Sequence, residues 1–186
     1  MHPVQQQFCE SVKARFPELF VRSRVLDIGS MDINGTNRYL FDDPIRYVGV
    51  DLAPGPGVDV VCLGHDYSPP IGSVEEQMGF DVVISTECLE HNPLWFKTFA
   101  RMVQLTRAGG LVVMTCAGVG RHPHGTSEHS PEASPGSIER FGDHYSNLGL
   151  AQFTQLGDTV DQEFGEWELS YHPACDLRFW GLRRDE

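Results

Sequence analysis

Val25-Leu26-Asp27-Ile28-Gly29-Ser30 decides the fold class. The run from Arg24 to Ile28 is aliphatic and short, the length of one buried strand, and it stops at Gly29, a residue that lets backbone pass close to a ligand. Further short apolar runs follow. Tyr47 to Val50 ends at Asp51, Val58 to Leu63 is a third, Phe80 to Ser85 a fourth, and Leu111 to Cys116 a fifth and the most apolar. Strands that read as continuous apolar runs are buried on both faces, which is the mark of a parallel sheet between layers of helices.

The intervening text supplies the helices. Val4, Phe8, Val12 and Phe16 recur every four residues and Pro17 then stops the pattern, predicting a helix over Val4 to Phe16. Leu94 to Thr106 reads as another, with Phe96, Phe99, Ala100, Val103 and Leu105 as its apolar set. Ala108-Gly109-Gly110 is expected to cap and break it. From Ala117 to about Asn147 the chain turns rich in Gly, Pro, Ser and His, the composition of a long lid or binding loop over residues 117–147. Leu148 to Leu156 can form a helix, and Phe164 to Tyr171 and Leu177 to Leu182 read as two closing strands paired antiparallel. The count is seven strands in an α/β sheet, parallel except for its last strand.

With 186 residues, 40% apolar and 22% charged, the chain has the size and balance of a single domain spanning 1–186. Fourteen basic against 26 acidic residues give a net charge of -12, which opposes nucleic acid and anionic lipid as partners. No apolar run has the ~20 residues of a membrane helix, and the first ten residues lack the basic start and apolar core of a signal peptide. Cys9, Cys62, Cys88, Cys116 and Cys175 are odd in number and scattered, with no C-x-x-C pair. They are expected as free thiols in a cytoplasmic protein.

Chemistry belongs at the carboxyl ends of parallel strands. Gly29 and its neighbours offer close backbone there. Asp51 ends the second strand, about 20 residues beyond Gly29, the spacing at which an acid takes both hydroxyls of an adenosine ribose. It can also merely cap a turn, but its place after Val48-Gly49-Val50 favours the ribose. Asp27 is costly to bury without a polar partner, which favours a ligand-side role. The fourth strand ends Ser85-Thr86-Glu87-Cys88-Leu89-Glu90-His91.

V-L-D-I-G-S, Y-V-G-V-D, F-D-V-V-I-S-T-E-C-L-E-H and L-T-R-A-G-G-L-V-V-M-T, in that order from Val25 to Thr115, resemble the successive motifs of class I S-adenosylmethionine-dependent methyltransferases. The resemblance implies a Rossmann-like seven-stranded sheet with helices on both faces, and S-adenosyl-L-methionine as cofactor. It places Asp27, Gly29 and Ser30 at the methionine portion, Asp51 at the ribose and Leu52 on the adenine. It sets Leu63 to Asp66, with Gly64 and Asp66 foremost, at the edge of the adenine, and Thr86 near the methionine amine. Two departures stand out. Met31-Asp32-Ile33-Asn34 intervene before Gly35 where relatives carry further glycines, which predicts a differently shaped loop bringing Asp32 or Asn34 towards the cofactor. Leu63 also stands where many relatives have an acid.

His91 and His124 are the candidate catalytic residues, as imidazoles able to take a proton from a hydroxyl acceptor. Tyr145 is a further candidate, and Arg121 can pair with a carboxylate or phosphate on the acceptor. His122, His124 and His129 with nearby acids could hold a divalent ion, but magnesium prefers oxygen ligands and His-x-His without a third placed ligand is a weak zinc signal, so no metal set is assigned. Glu75, Glu76, Glu163, Glu166 and Asp176 read as solvated surface. The expected activity is methyl transfer to a small molecule, most simply O-methylation of a sugar or secondary metabolite. The alternative is a non-catalytic cofactor-binding module in a biosynthetic complex. An oxidoreductase is disfavoured by the lack of G-x-G-x-x-G. Oligomeric state is not legible.

Overall fold

A computed structural model describes residues 2–185, the side chains of residues 158 and 159 excepted. Seven strands form one sheet: β1 (Arg24–Ile28), β2 (Arg46–Asp51), β3 (Val60–Val61), β4 (Phe80–Thr86), β5 (Thr106–Ala117), β6 (Phe164–His172) and β7 (Asp176–Arg183). Their spatial order is β3-β2-β1-β4-β5-β7-β6. Strands β1 to β5 pair in parallel, and β7 runs antiparallel to both β5 and β6. This is the expected α/β architecture with one reversed strand.

The two faces follow from alternation along each strand. Leu26, Ile28, Val83, Val112 and Met114 point into one cluster with Phe99, Met102 and Val103 of α3 (Trp95–Leu105). Val25, Val82, Ile84, Leu111 and Val113 point into the other, with Phe8, Cys9 and Val12 of α1 (Pro3–Arg15). Burial of each large side chain contributes roughly 1.5–3 kcal/mol. Asp81 enters β4 held by Arg24 at 3.1 Å and Arg107 at 2.6 Å, and these two guanidinium groups keep its carboxyl below the usual range despite burial.

Several expectations are corrected. The third strand shrinks from Val58–Leu63 to two exposed residues, because it is a sheet edge with a partner on one side only. Helix α3 ends at Leu105 and Thr106 already belongs to β5, so Gly109-Gly110 caps no helix. Gly109 takes φ +64° inside a register shift against Phe80 and Val82. Phe96 is 43% exposed, and Thr98 and Met102 face the core instead. The 117–147 segment carries a 3-10 turn at Pro131–Ala133 and the helix α4 (Pro135–Phe141). The helix expected over Leu148–Leu156 is shorter, α5 (Leu150–Thr154), and a further helix not expected from sequence follows it, α6 (Gly157–Glu163). A short helix at Val74–Met78, α2, has no buried residue and so left no apolar period to read.

Candidate functional site

A cavity of about 470 Å³ opens at the carboxyl ends of β1, β2 and β4, where the strand order reverses between β1 and β4. Gly29 sits at its floor with φ +80°, and a Cβ there would stand 2.6 Å from Cys88 Cβ. A side chain at this position is therefore excluded twice, by conformation and by space. The N–H groups of Gly29 and Ser30 both donate to the Val50 carbonyl, at 2.8 and 3.2 Å, and fasten the loop after β1 to β2.

Asp51 crowns β2. Its Oδ2 accepts the Met31 N–H at 3.0 Å and its Oδ1 accepts the Leu52 N–H at 2.7 Å. A carboxylate offers about four lone-pair directions, so both oxygens keep capacity for a hydroxyl donor. Burial raises its pKa, and the backbone donors of Met31 and Leu52 oppose that rise.

Asp27, only 1% exposed, has the polar partners its burial demands. Asn37 donates to Oδ1 at 3.0 Å and Tyr47 to Oδ2 at 2.6 Å. Burial still lifts its pKa to about 6. Asn37 also reaches Thr86 Oγ1 at 3.2 Å, so one amide ties β1 to the end of β4. Neither Asn37 nor Tyr47 was singled out from sequence. Their signal was indirect: a buried acid requires donors, but nothing in the text names which.

Gly29, Ser30, Asp51, Leu52, Gly64 and Thr86 all line the cavity together with Asp27. Ser30 Oγ is buried without a hydrogen-bond partner. Gly64 passes so close to Ile28 that a Cβ would stand 2.6 Å from its Cγ2. Asp66 is not brought in: it is exposed, and its nearest charged neighbour is His65 at 3.9 Å. In the loop of unusual shape, Asn34 lines the cavity while Asp32 turns back to accept the Gly35 N–H at 2.9 Å.

The other end of the cavity is built by the turn after β4 and the segment after β5. His91 is 3% exposed and meets His124 edge to face, ring centroids 5.1 Å apart, with Tyr145 at 5.5 Å from His91 and 5.1 Å from His124. Burial pushes His91 down to about 3 and lowers His124 as well. Both rings are therefore neutral at pH 7. A ring with the pKa of His91 retains a proton poorly, so His91 offers a lone pair rather than a strong base.

Glu90 has no role legible in the sequence. It is fully buried, its Oε1 accepts the Ala117 N–H at 3.0 Å, and its Oε2 has no hydrogen-bond partner. His124 Nε2 lies 4.0 Å from Oε1. The pattern that could have flagged it is an acid between Leu89 and His91, directly after a buried strand.

Asp176 is corrected from surface to core. It is 0% exposed at the start of β7, where Arg121 donates at 2.7 Å and His2 lies at 3.3 Å. Arg121 also faces Glu87 at 3.8 Å, so the charge expected to meet an acceptor's anion is largely engaged within the protein. Glu87 accepts from Gln5, and burial lifts its pKa to about 7. His122 and His129 are exposed and stand apart from the buried imidazoles.

No protein-family model matches the chain, and no curated protein matches it in sequence. Solved structures match it strongly in fold. The 1,6-didemethyltoxoflavin-N1-methyltransferase of Burkholderia thailandensis, bound to its substrate and S-adenosylhomocysteine, superposes with TM-score 0.60 at 15% identity, over 95% of this chain and 76% of that one. The N-methyltransferase NodS of Bradyrhizobium japonicum WM9 gives 0.59 at 13% identity, over 99% and 98%. Phosphoethanolamine N-methyltransferase 2 of Haemonchus contortus, in complex with S-adenosyl-L-methionine, gives 0.62 at 18% identity, over 96% of this chain and 53% of that one. The fold is that of the class I S-adenosylmethionine-dependent methyltransferases.

Proposed function

We propose that the protein is an S-adenosylmethionine-dependent methyltransferase acting on a small molecule. The observation that carries this reading is Asp51: a buried carboxylate at the tip of β2, both oxygens fixed by backbone N–H groups and both still able to accept, beside a glycine with no room for a side chain. That donor-fixed acceptor pair matches a ribose diol. Asp51 would hold the ribose, Leu52 and Gly64 would flank the adenine, and Gly29, Ser30 and Asn34 would cradle the methionine portion. Asp27 and Thr86 act there through Asn37, which they hold in place. When bound, the cofactor supplies an electrophilic methyl group.

The residues themselves supply alignment and dryness. The 117–147 segment lies over the cavity through Ser134, Pro135 and Gly136, forming an acceptor-side lid within one methyltransferase domain. His91 and His124, with neutral lone pairs, receive the proton-bearing group of the acceptor. His124, less buried than His91, is the better of the two as general base. This polar end favours a hydroxyl acceptor on a sugar or secondary metabolite, hence O-methylation. A nitrogen acceptor is the second reading, favoured by the N-methyltransferases named above. All five cysteines are free thiols, as a reducing cytoplasm would keep them.

The test is a screen with methyl-labelled S-adenosylmethionine against hydroxyl and amine acceptors. Transfer that is lost in His124→Ala supports the enzyme. Tight S-adenosylhomocysteine binding with no transfer to any acceptor would favour the non-catalytic module instead.

A further inference from the structure

We propose that Glu90, His91 and His124 form a binding site for a divalent transition-metal cation, with its remaining coordination positions turned towards the acceptor end of the cavity. A carboxylate oxygen and one nitrogen from each ring lie within 4.8 Å of one another. They come from two separate segments, the turn after β4 and the loop after β5, that the fold clamps together. Two of the polar atoms in this group are orphaned. Glu90 Oε2 and His91 Nδ1 are both buried and lack a hydrogen-bond partner, although Glu90 is 0% and His91 3% exposed. Buried polar atoms are rarely left so, and two in one cluster mark a missing partner.

The chemistry of the set points to a cation. Each neutral ring offers one lone pair, and burial holds the Glu90 carboxyl towards its protonated form, so a cation binding here would displace that proton and take one lone pair from each of the three groups together. Ligand atoms on a tetrahedral ion at about 2.1 Å stand about 3.4 Å apart. His124 Nε2 and Glu90 Oε1 stand at 4.0 Å, so closure on an ion takes roughly half an ångström from that pair. The ring of His91 is held in place: Gly125, at φ +63°, packs against it so tightly that a Cβ would lie 2.6 Å from its Cε1. His124 is the adaptable ligand, on a loop and partly exposed. Two imidazoles and one carboxylate select zinc, cobalt, manganese or iron over magnesium or calcium, which prefer oxygen donors. Three protein ligands leave positions open, as in sites where a metal receives a further ligand. His91 and His124 both line the cavity, so those positions face an acceptor. With an ion bound, the lone pairs of His91 and His124 are committed to it and His124 is a ligand in place of a general base; the ion's service as an acceptor anchor rests on the methyl-transfer reading, its binding does not.

The experiment is a Co²⁺ titration of the chelator-stripped full chain, followed by visible ligand-field absorption. The expected result is saturation at one equivalent, with affinity reduced at least about tenfold in both Glu90→Gln and His124→Ala. The exposed imidazoles serve as controls, and His122→Ala and His129→Ala should leave the titration unchanged. S-adenosylhomocysteine affinity, measured on the same metal-free samples, shows that each variant is folded. Absence of saturable absorption in the wild type would overturn the proposal, as would a site unaffected by His124→Ala. If S-adenosylhomocysteine binds and Co²⁺ does not, the metal proposal alone falls; if Co²⁺ binds and S-adenosylhomocysteine does not, the methyl-transfer reading falls.

Discussion

The Tyr47 hydroxyl donates to the Asp27 carboxylate at 2.6 Å, reaching from β2 across to β1 beneath the candidate cofactor loop. This bond meets half of the demand made by burying an acid in a parallel strand. Tyr47→Phe removes the donor and leaves a buried oxygen short of a partner, which costs about 1–3 kcal/mol. Urea unfolding should show the midpoint falling accordingly with an unchanged slope; a stability equal to wild type would contradict the pairing.

Asp27 also makes a pH-dependent contribution. Its folded pKa of about 6 lies above the ordinary 3.8. Between those values the folded chain binds more protons than the unfolded one, so stability falls as pH rises through the window and levels off above it. Asp27→Asn cannot ionise and escapes that fall. Relative to wild type, the variant should therefore gain stability between pH 4 and pH 7, by up to about 3 kcal/mol. Parallel stability profiles for the two proteins would show that burial does not raise this carboxyl.

Two glycines of the same loop separate conformation from space. Gly29 and Gly35 both have positive φ, but an added Cβ at Gly29 meets Cys88, whereas at Gly35 nothing lies within 4 Å. Gly29→Ala should weaken S-adenosylhomocysteine binding at least about tenfold, or about 1.4 kcal/mol, and Gly35→Ala much less. Calorimetric titration of both variants decides it; equal losses would mean that backbone strain alone matters.

Much of this architecture is legible in the chain. Val25 to Ile28 and Leu111 to Cys116 announce buried strands because both faces need apolar residues, and Gly29 and Asp51 announce a ligand because glycine and acid are costly at buried strand ends. The site's supporting residues are not legible in the same way. Asp176 looks like any other acid until β7 folds beneath Arg121, and Glu90 looks like part of a turn until Ala117 donates to it. Long-range pairing decides whether such a side chain is solvated or buried, and local patterning carries no record of it. Asp66 shows the converse. A motif position drew it towards the adenine, yet the backbone turn Asp66 N–H to Leu63 carbonyl leaves its carboxylate in solvent.

Helix α4 closes on the cavity at Gly136, where a Cβ would stand 2.9 Å from Leu52 Cβ and 3.2 Å from Ala53 Cβ. Gly136→Val should hold the helix away from Leu52 and speed S-adenosylhomocysteine dissociation severalfold, with little change in Tm because α4 buries no large apolar residue. Stopped-flow displacement measures the rate; an unchanged rate would mean that the segment does not cover the ligand.

Asp51 bears the heaviest weight. Isothermal titration of the full chain with S-adenosylhomocysteine, beside Asp51→Ala, asks whether a nucleoside sits where β2 ends. The expected result is one-to-one binding by the wild type and at least about a hundredfold loss in the variant, the equivalent of roughly 2.7 kcal/mol. Undiminished affinity in a folded Asp51→Ala protein, or no binding by the wild type, would contradict the assignment of this cavity.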